Sequence, residues 1–205
     1  MADHFPVLLN EVIETLVTDV NGVYVDCTLG FAGHSTAILE KISEHGFLIG
    51  LELDPYALNK AKEKLSKVKN KKFSLHNASY KEIPDILSKL GIKKVNGFLF
   101  DLGISSYQVD SEHRGFSYSK EGPLDMRFNQ NNKETAKDFL NNISENKLAK
   151  LIRTYAEISK SKKIARGIIR KINENKMHTT LDLKNAIIDA SGTGSNKILS
   201  RIFQA

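Results

Sequence analysis

The first hundred residues alternate short apolar runs with amphipathic stretches. Val23–Asp26 (VYVD) is β-branched and aromatic and predicts a strand, followed by the turn-rich segment TLGFAGHS. From Ser35, the apolar residues Ile38, Leu39 and Ile42 recur at helical spacing. Phe47–Leu51 (FLIGL) predicts a second buried strand that ends at Glu52 and Asp54. Pro55 then opens a helix, where its fixed φ and missing N–H cost nothing. Residues 73–76 predict a third strand, 81–90 a helix, and 95–100 a fourth strand running into Asp101. Strands separated by helices of this length imply βαβ units and a parallel sheet, and nearly unbroken apolar strands fit burial on both faces.

Beyond Asp101 the pattern changes. Residues 102–128 are rich in Gly and Ser, include Pro123, and show no clear period. A loop that long inside a compact domain is functional or disordered, and Tyr107, Arg114, Phe116, Tyr118 and Arg127 favour the first. Residues 133–205 read as helices throughout. Ser144 is a candidate N-cap, and Thr180-Leu-Asp-Leu begins a further helix. Leu148, Leu151, Ile152 and Tyr155 share one face, as do Ile164, Ile168 and Ile172. The expected division is a sheet-bearing core over residues 1–130 and a helical subdomain over 131–205.

Composition narrows the class. A chain of 205 residues with 40% hydrophobic and 26% charged residues can bury a real core. It has no apolar run of about 18 residues, so no membrane-spanning helix is expected. The N-terminus lacks the basic start and cleavage site of a secretory signal. With Cys27 as its single cysteine the chain has no internal disulfide, and a reducing, cytoplasmic setting is expected. The net charge of +6 is unevenly spread: residues 133–176 hold twelve Lys/Arg against five Asp/Glu. Such a segment is either a set of solvated helix faces or a surface that gains affinity by releasing counterions from a nucleic acid. Charge alone leaves both open. Under the second reading Lys160, Lys162 and Lys163 are candidate RNA contacts, together with Arg114 and Arg127 of the preceding loop.

The chemistry concentrates at the strand ends. At VYVD-CTLGFAGHS a glycine-containing turn joins a strand to a helix, so a ligand can approach the backbone beyond the carboxyl ends of the strands. Gly30-Phe31-Ala32-Gly33 is not the G-x-G-x-x-G of dinucleotide enzymes, which favours an adenosine ligand without a pyrophosphate. Glu52, at the end of the second strand, can accept hydrogen bonds from both ribose hydroxyls; alone it would equally be an exposed strand-end acid. His34 can touch a cofactor carboxylate or serve as a structural histidine. Cys27 reads as a packed small side chain, since no triad can be placed around it. Asp101, at the end of the fourth strand, is expected to point into the same crevice as Glu52. The loop that follows carries Arg and aromatic residues suited to phosphate contact and base stacking. No Cys/His cluster is present, and no metal is expected.

Taken together, HFPVLLNEV, YVDCTLGFAGHS, DLGISSYQVD, RGFSYSKEGPLDMRF and RIFQA resemble the bacterial ribosomal RNA small-subunit methyltransferase H family, in its order and over nearly the whole chain. RGFS…GPLDMR is highly specific to it. The resemblance implies an α/β, class I methyltransferase (Rossmann-like) parallel sheet with an inserted helical subdomain. It also implies S-adenosylmethionine as donor, and small-subunit ribosomal RNA or the small ribosomal subunit as partner. The family's cofactor contacts fall on Ala32, Gly33, His34, Glu52, Tyr80, Asp101 and Gln108. Three departures stand out: Ala32-Gly33 where two glycines are usual, Glu52 where Asp is usual, and Tyr80 for Phe. The family also continues beyond RIFQA into a long helix and further strands, so the last strands of the sheet are expected to be missing here.

The implied reaction is methyl transfer to N4 of a cytidine in the decoding centre, with Asp101, Ser105 and Ser106 as candidate catalytic residues. Asp101 and the loop around Ser105, Ser106 and Gln108 would hold the exocyclic amine near the methyl group. Two rivals remain. One is a methyltransferase for another nucleic acid or a small molecule; the strand-end DLGI differs from the acidic-Pro-Pro-aromatic motif of amino-methylating DNA enzymes. The other is a non-catalytic RNA-binding remnant. A homodimer is left open.

Overall fold

The computed structural model describes residues 6–205. His4 and Phe5 of the HFPVLLNEV segment lie outside the described residues. Four strands, β1 (Val23–Asp26), β2 (Phe47–Leu51), β3 (Lys72–His76) and β4 (Gly97–Leu99), form one parallel sheet in the order β3-β2-β1-β4. In register, Asp26 lies beside Gly50 on one side and Leu99 on the other. The two central strands are buried on both faces, which is why they read as unbroken apolar runs.

The alternation of side chains sorts the core into two layers. Tyr24, Leu48 and Leu99 face α1 (Leu9–Leu16), α2 (Gly33–Lys41) and α3 (Pro55–Leu65), packing on Leu16, Ile38, Leu39, Ala61 and Leu65. Val25, Ile49 and Leu51 face the other way, onto Ile86 of α4 (Ile83–Lys89). This is the α/β, Rossmann-like architecture expected. The fourth strand is shorter than the apolar run at 95–100. Asn96 donates its amide to the Val23 carbonyl but meets the Val23 amide with its side-chain oxygen, so the regular ladder starts only at Gly97, and Phe100 extends past the last pair. Helix α3 starts as expected, with Asp54 as N-cap, its carboxylate accepting from the Tyr56 amide, and Pro55 at the first position.

The chain divides into two compact units. One holds the residues up to Gly103 with Phe128–Gln130; the other holds Ile104–Arg127 and Asn131–Ala205. The change of composition at residue 130 had placed the long loop with the sheet, but most of it packs with the helices. Nor is it without structure. Ser105 and Gln108 form a capping box that starts α5 (Ser106–Asp110), and a 3₁₀ turn follows at Glu112–Arg114.

The helical unit continues with α6 (Ala136–Asn142), α7 (Glu145–Tyr155), α8 (Ser161–Asn173), α9 (Thr180–Ser191) and α10 (Asn196–Gln204). Ser144 caps α7, and Thr179 with Asp182 makes the capping box of α9, one residue before the expected start. Leu148, Ile152, Ile164, Ile168, Ile187 and Leu199 build one core. Tyr155, expected on the buried face of α7, is 72% exposed; Ala156, the residue after it, takes the buried position. Gly167 of α8 lets α9 come close, since a Cβ there would sit 2.7 Å from the Ala190 methyl.

Candidate active site

In the sheet unit, a side-chain tie links the ends of all four strands into a circuit. The first tie joins β1 to β2: Gly30 of the turn after β1 donates its amide to Glu52 Oε2 at 2.7 Å. The other carboxylate oxygen of Glu52 accepts from the Asp54 amide at 2.9 Å. The second tie joins β2 to β3, where the Asn77 side-chain amide donates to the carbonyls of Glu52 (2.8 Å) and Leu53 (3.0 Å). The third joins β3 to β4 across the sheet: the Tyr80 and Phe100 rings meet edge to face at 5.7 Å. The fourth closes the circuit, with the Asp101 amide donating to Thr28 Oγ1 at 2.7 Å.

Asp26 anchors the turn from beneath. It is buried, accepts from the Thr28 amide at 3.1 Å and from the Ser35 hydroxyl at 2.7 Å, and so fixes both the turn and the first residues of α2. Burial pushes its carboxyl above the ordinary 3.8, against the pull of the Ser35 and Thr28 hydrogen bonds. A carboxyl raised on folding adds stability that is complete below its ordinary pKa and is lost as pH rises through the folded value. Asp26→Asn keeps both partners, because its amide can donate to the Ser35 oxygen, but it cannot ionise. The stability of wild type relative to this variant is therefore expected to fall as pH rises from 4 towards neutrality, read by urea unfolding across that range. A difference independent of pH would show that Asp26 ionises freely.

Of the residues expected to hold a cofactor, the sheet unit contains Ala32, Gly33, His34, Glu52, Tyr80 and Asp101. Ala32 adopts a left-handed conformation (φ 58°) as the residue before α2, and it is fully buried. Gly33 is required by close approach, since a Cβ there would overlap the ring of Pro6. His34 is buried, with Nε2 3.0 Å from the Val7 carbonyl oxygen and Nδ1 3.8 Å from Asp101 Oδ2. The Asp101 carboxylate is about half exposed. Glu52 is held above its ordinary pKa by burial, against the Asp54 and Gly30 amides. Cys27 is buried and its thiol pushed up to about 12, in keeping with a packing role.

Ser105, Ser106 and Gln108 belong to the other unit. There the Ser105 hydroxyl accepts from the Gln108 amide (3.2 Å) and the Gln108 side-chain oxygen accepts from the Ser105 amide (3.0 Å). Gln108 is buried and Ser106 exposed. One of the five expected RNA contacts is corrected by its surroundings. Arg114 is 1% exposed and donates to the Arg127 carbonyl, so it braces the loop. Arg127 makes a bidentate pair with Asp125 (2.9 and 2.6 Å). Lys160 donates to the Ser191 carbonyl at 3.1 Å, where an ammonium suits the carboxyl end of α9. Lys162 and Lys163 are exposed on α8.

The pattern reading passed over Asp26, Thr28, Asn77 and Phe100. An acid at a strand end with Thr two residues on is an Asx-turn pattern that marks the first two; the others had no local signal.

The circuit fits a nucleoside. Each Glu52 oxygen accepts one N–H and keeps a lone pair for a hydroxyl donor. A Cβ at Gly30 would find only the Thr28 carbonyl, 3.9 Å away, so the space beside the turn is open. Tyr80 and Phe100 offer apolar faces, 44% and 48% exposed. A sequence model of the MraW methylase family matches residues 1–205. The chain belongs to the MraW methylase family. Three relatives are each named ribosomal RNA small subunit methyltransferase H. That of Caldicellulosiruptor bescii is 43% identical over 91% of this chain and 60% of its own length. That of Caldicellulosiruptor saccharolyticus is 42% identical over 100% and 67%, and that of Clostridium botulinum strain 657 is 45% identical over 98% and 66%. The chain thus spans roughly two thirds or less of the length of these MraW relatives. Membership in a methylase family implies a methyl donor.

Proposed function

We propose that the chain is the S-adenosylmethionine-binding part of a ribosomal RNA methyltransferase that acts on N4 of a decoding-centre cytidine. The observation that carries the reading is the circuit of strand-end ties, which sets two carboxylates, Glu52 and Asp101, beside an aromatic pair. Glu52 would accept the ribose hydroxyls, Tyr80 would pack on the adenine, and Gly30 and Gly33 keep the turn close enough for contact. The names of the three relatives support ribosomal RNA as the substrate. The bound cofactor supplies an electrophilic methyl group on a sulfonium.

The chain's own task is to present a poor nucleophile. The lone pair of an exocyclic cytosine amine is delocalised into the ring. The exposed Asp101 carboxylate can accept one of its N–H bonds, which restores electron density to nitrogen and takes up the proton released as the N–CH₃ bond forms. Orientation contributes the rest. The exposed Lys162 and Lys163 on α8 are the cations suited to RNA phosphates, and the reaction belongs in the cytoplasm, where ribosomal subunits are assembled.

Asp101→Ala is expected to lower methyl transfer to small ribosomal subunits by about 100-fold or more, the usual range for a lost acid–base group. Its affinity for S-adenosylmethionine, measured by calorimetry, should change by much less. Equal losses in both would place Asp101 with the cofactor and not with the reacting amine.

A further inference from the structure

Between the end of α8 and the first turns of α9 the helical unit holds a cavity of about 310 Å³, lined by Lys171, Asn175, Lys176, His178, Asp182 and Asn185. Asp182 Oδ2 accepts from the His178 and Thr179 amides, both at 2.9 Å, which leaves Oδ1 as an acceptor for a ligand. The His178 ring uses both nitrogens within the unit. Nε2 lies 2.8 Å from the Asn175 carbonyl oxygen and Nδ1 lies 3.3 Å from the Lys137 ammonium, so the first donates and the second accepts. What the ring keeps for a ligand is its face. Lys171 stands 3.7 Å from Asp189, near enough to pair but too far for a hydrogen bond, so its N–H groups remain to donate.

The charges exclude the simplest occupant. Lys137, Lys171 and Lys176 are offset by Asp182, Asp189 and Glu174, so a free anion gains little. What is left is a ring face, a group that only accepts and a group that only donates, which together can read a flat ring by its edge. Guanine alone among the four RNA bases has two neighbouring donors, N1–H and N2–H₂, between which a carboxylate oxygen meets no lone pair. Its O6 and N7 are acceptors suited to an ammonium. On adenine and cytosine the amino group sits beside a ring-nitrogen lone pair, and on uracil the N–H sits between two carbonyls. We infer that this cavity binds the guanine of an unpaired nucleotide, with Asp182 Oδ1 on its donors, Lys171 on its acceptors and the His178 ring against its face. A free nucleotide and single-stranded RNA are the two sources of such a base. The inference goes beyond the methyl-transfer reading and is tested without it.

Calorimetric titration of the whole chain with GMP, AMP, CMP and UMP reads the preference. GMP is expected to bind about tenfold tighter than the others or more, the usual discrimination of one well-placed base contact. It should also move the His178 ring proton resonances upfield by stacking. Asp182→Asn can keep its oxygen on the two amides, but it then turns an NH₂ to the guanine donors. Lys171→Met keeps the apolar stem and removes the ammonium. Each variant is expected to lose about tenfold or more in GMP affinity with its helix content unchanged. The pentanucleotides UUGUU and UUAUU separate the two sources. Binding of the first well above both the second and GMP assigns the site to RNA; binding no tighter than that of GMP assigns it to the free nucleotide.

Equal affinity for the four nucleotides would overturn the inference, as would His178 resonances that stay in place, or a GMP affinity that survives both substitutions. A chain that binds S-adenosylmethionine without any preference for GMP loses this inference alone. A chain that prefers GMP but does not bind S-adenosylmethionine keeps it and loses the methyl-transfer reading.

Discussion

Gly122→Ala is expected to destabilise the helical unit by about 3 kcal/mol or more, at the upper end of what overpacking costs. A Cβ at this position would overlap the carbonyl oxygen of Glu112 and lie 3.0 Å from its carbon, and both are main-chain atoms with no rotamer to yield. The backbone of Gly122 cannot move aside either. Its amide donates to Thr180 Oγ1 at 3.1 Å and its carbonyl accepts from the Thr180 amide at 2.9 Å, at the start of α9. Thr180 in turn donates its hydroxyl to the Lys120 carbonyl at 2.7 Å. Shifting residue 122 therefore breaks the seat of a helix that carries Leu183, Ala186 and Ile187 into the core. Gly115 faces the same strand of chain from the other side, with φ 72° and a Cβ position that would overlap the Pro123 carbonyl. Gly103→Ala is the control, because a Cβ there meets nothing within 4 Å. Urea unfolding of the three proteins reads the difference; a midpoint for Gly122→Ala equal to that of the control would show that the loop gives way at no cost.

That knot shows what part of the stretch RGFS…GPLDMR does in the fold. Arginines, aromatics and glycines in a segment without period look like a nucleic-acid loop. In the fold, Gly115 and Gly122 are there so that two backbone segments can touch, Arg114 is buried and donates to the Arg127 carbonyl, and Arg127 is held by Asp125. Composition records which groups could meet a phosphate, but not whether their donors are already occupied. For Lys160, likewise, nothing near it in sequence reveals that the Ser191 carbonyl, 31 residues on, accepts from its ammonium.

The sheet was far more legible. Apolar runs of four or five residues can be satisfied only by burial on both faces, and VYVD and FLIGL begin and end as the runs do. The weaker edge strand β4 was overestimated because Val95 and Phe100 continue the apolar pattern while the ladder does not. Glu52 and Asp101 could be named because a parallel sheet brings its carboxyl ends together whatever the loops do. The ties between those ends could not. Asn77 and Phe100 act on partners 25 and 20 residues away in the chain, and only the strand order says which ends become neighbours.

Glu52→Gln is expected to lower the affinity for S-adenosylmethionine by about 100-fold, equivalent to roughly 2.7 kcal/mol. The carboxylate stands between two main-chain donors, one on each oxygen, and offers its remaining lone pairs to the ribose. An amide of the same shape has a single acceptor atom. Whichever way it is turned, its NH₂ faces either Gly30 N–H or Asp54 N–H, donor against donor, and the turn after β1 is no longer held to the end of β2. Leaving one such partly buried N–H unmet costs about 1–3 kcal/mol of stability. Loss of the negative charge works in the opposite direction, because burial already raises the pKa of this carboxyl and its ionised form is the strained one. The change in stability is therefore expected to be smaller than the change in binding, and the comparison of the two is decisive. Calorimetric titration and urea unfolding on the same preparation measure both. A loss of affinity that exceeds the loss of stability assigns Glu52 to the ligand. A fold that weakens while binding stays at the wild-type level would make Glu52 a brace for the glycine turn, and the ribose would need another acceptor.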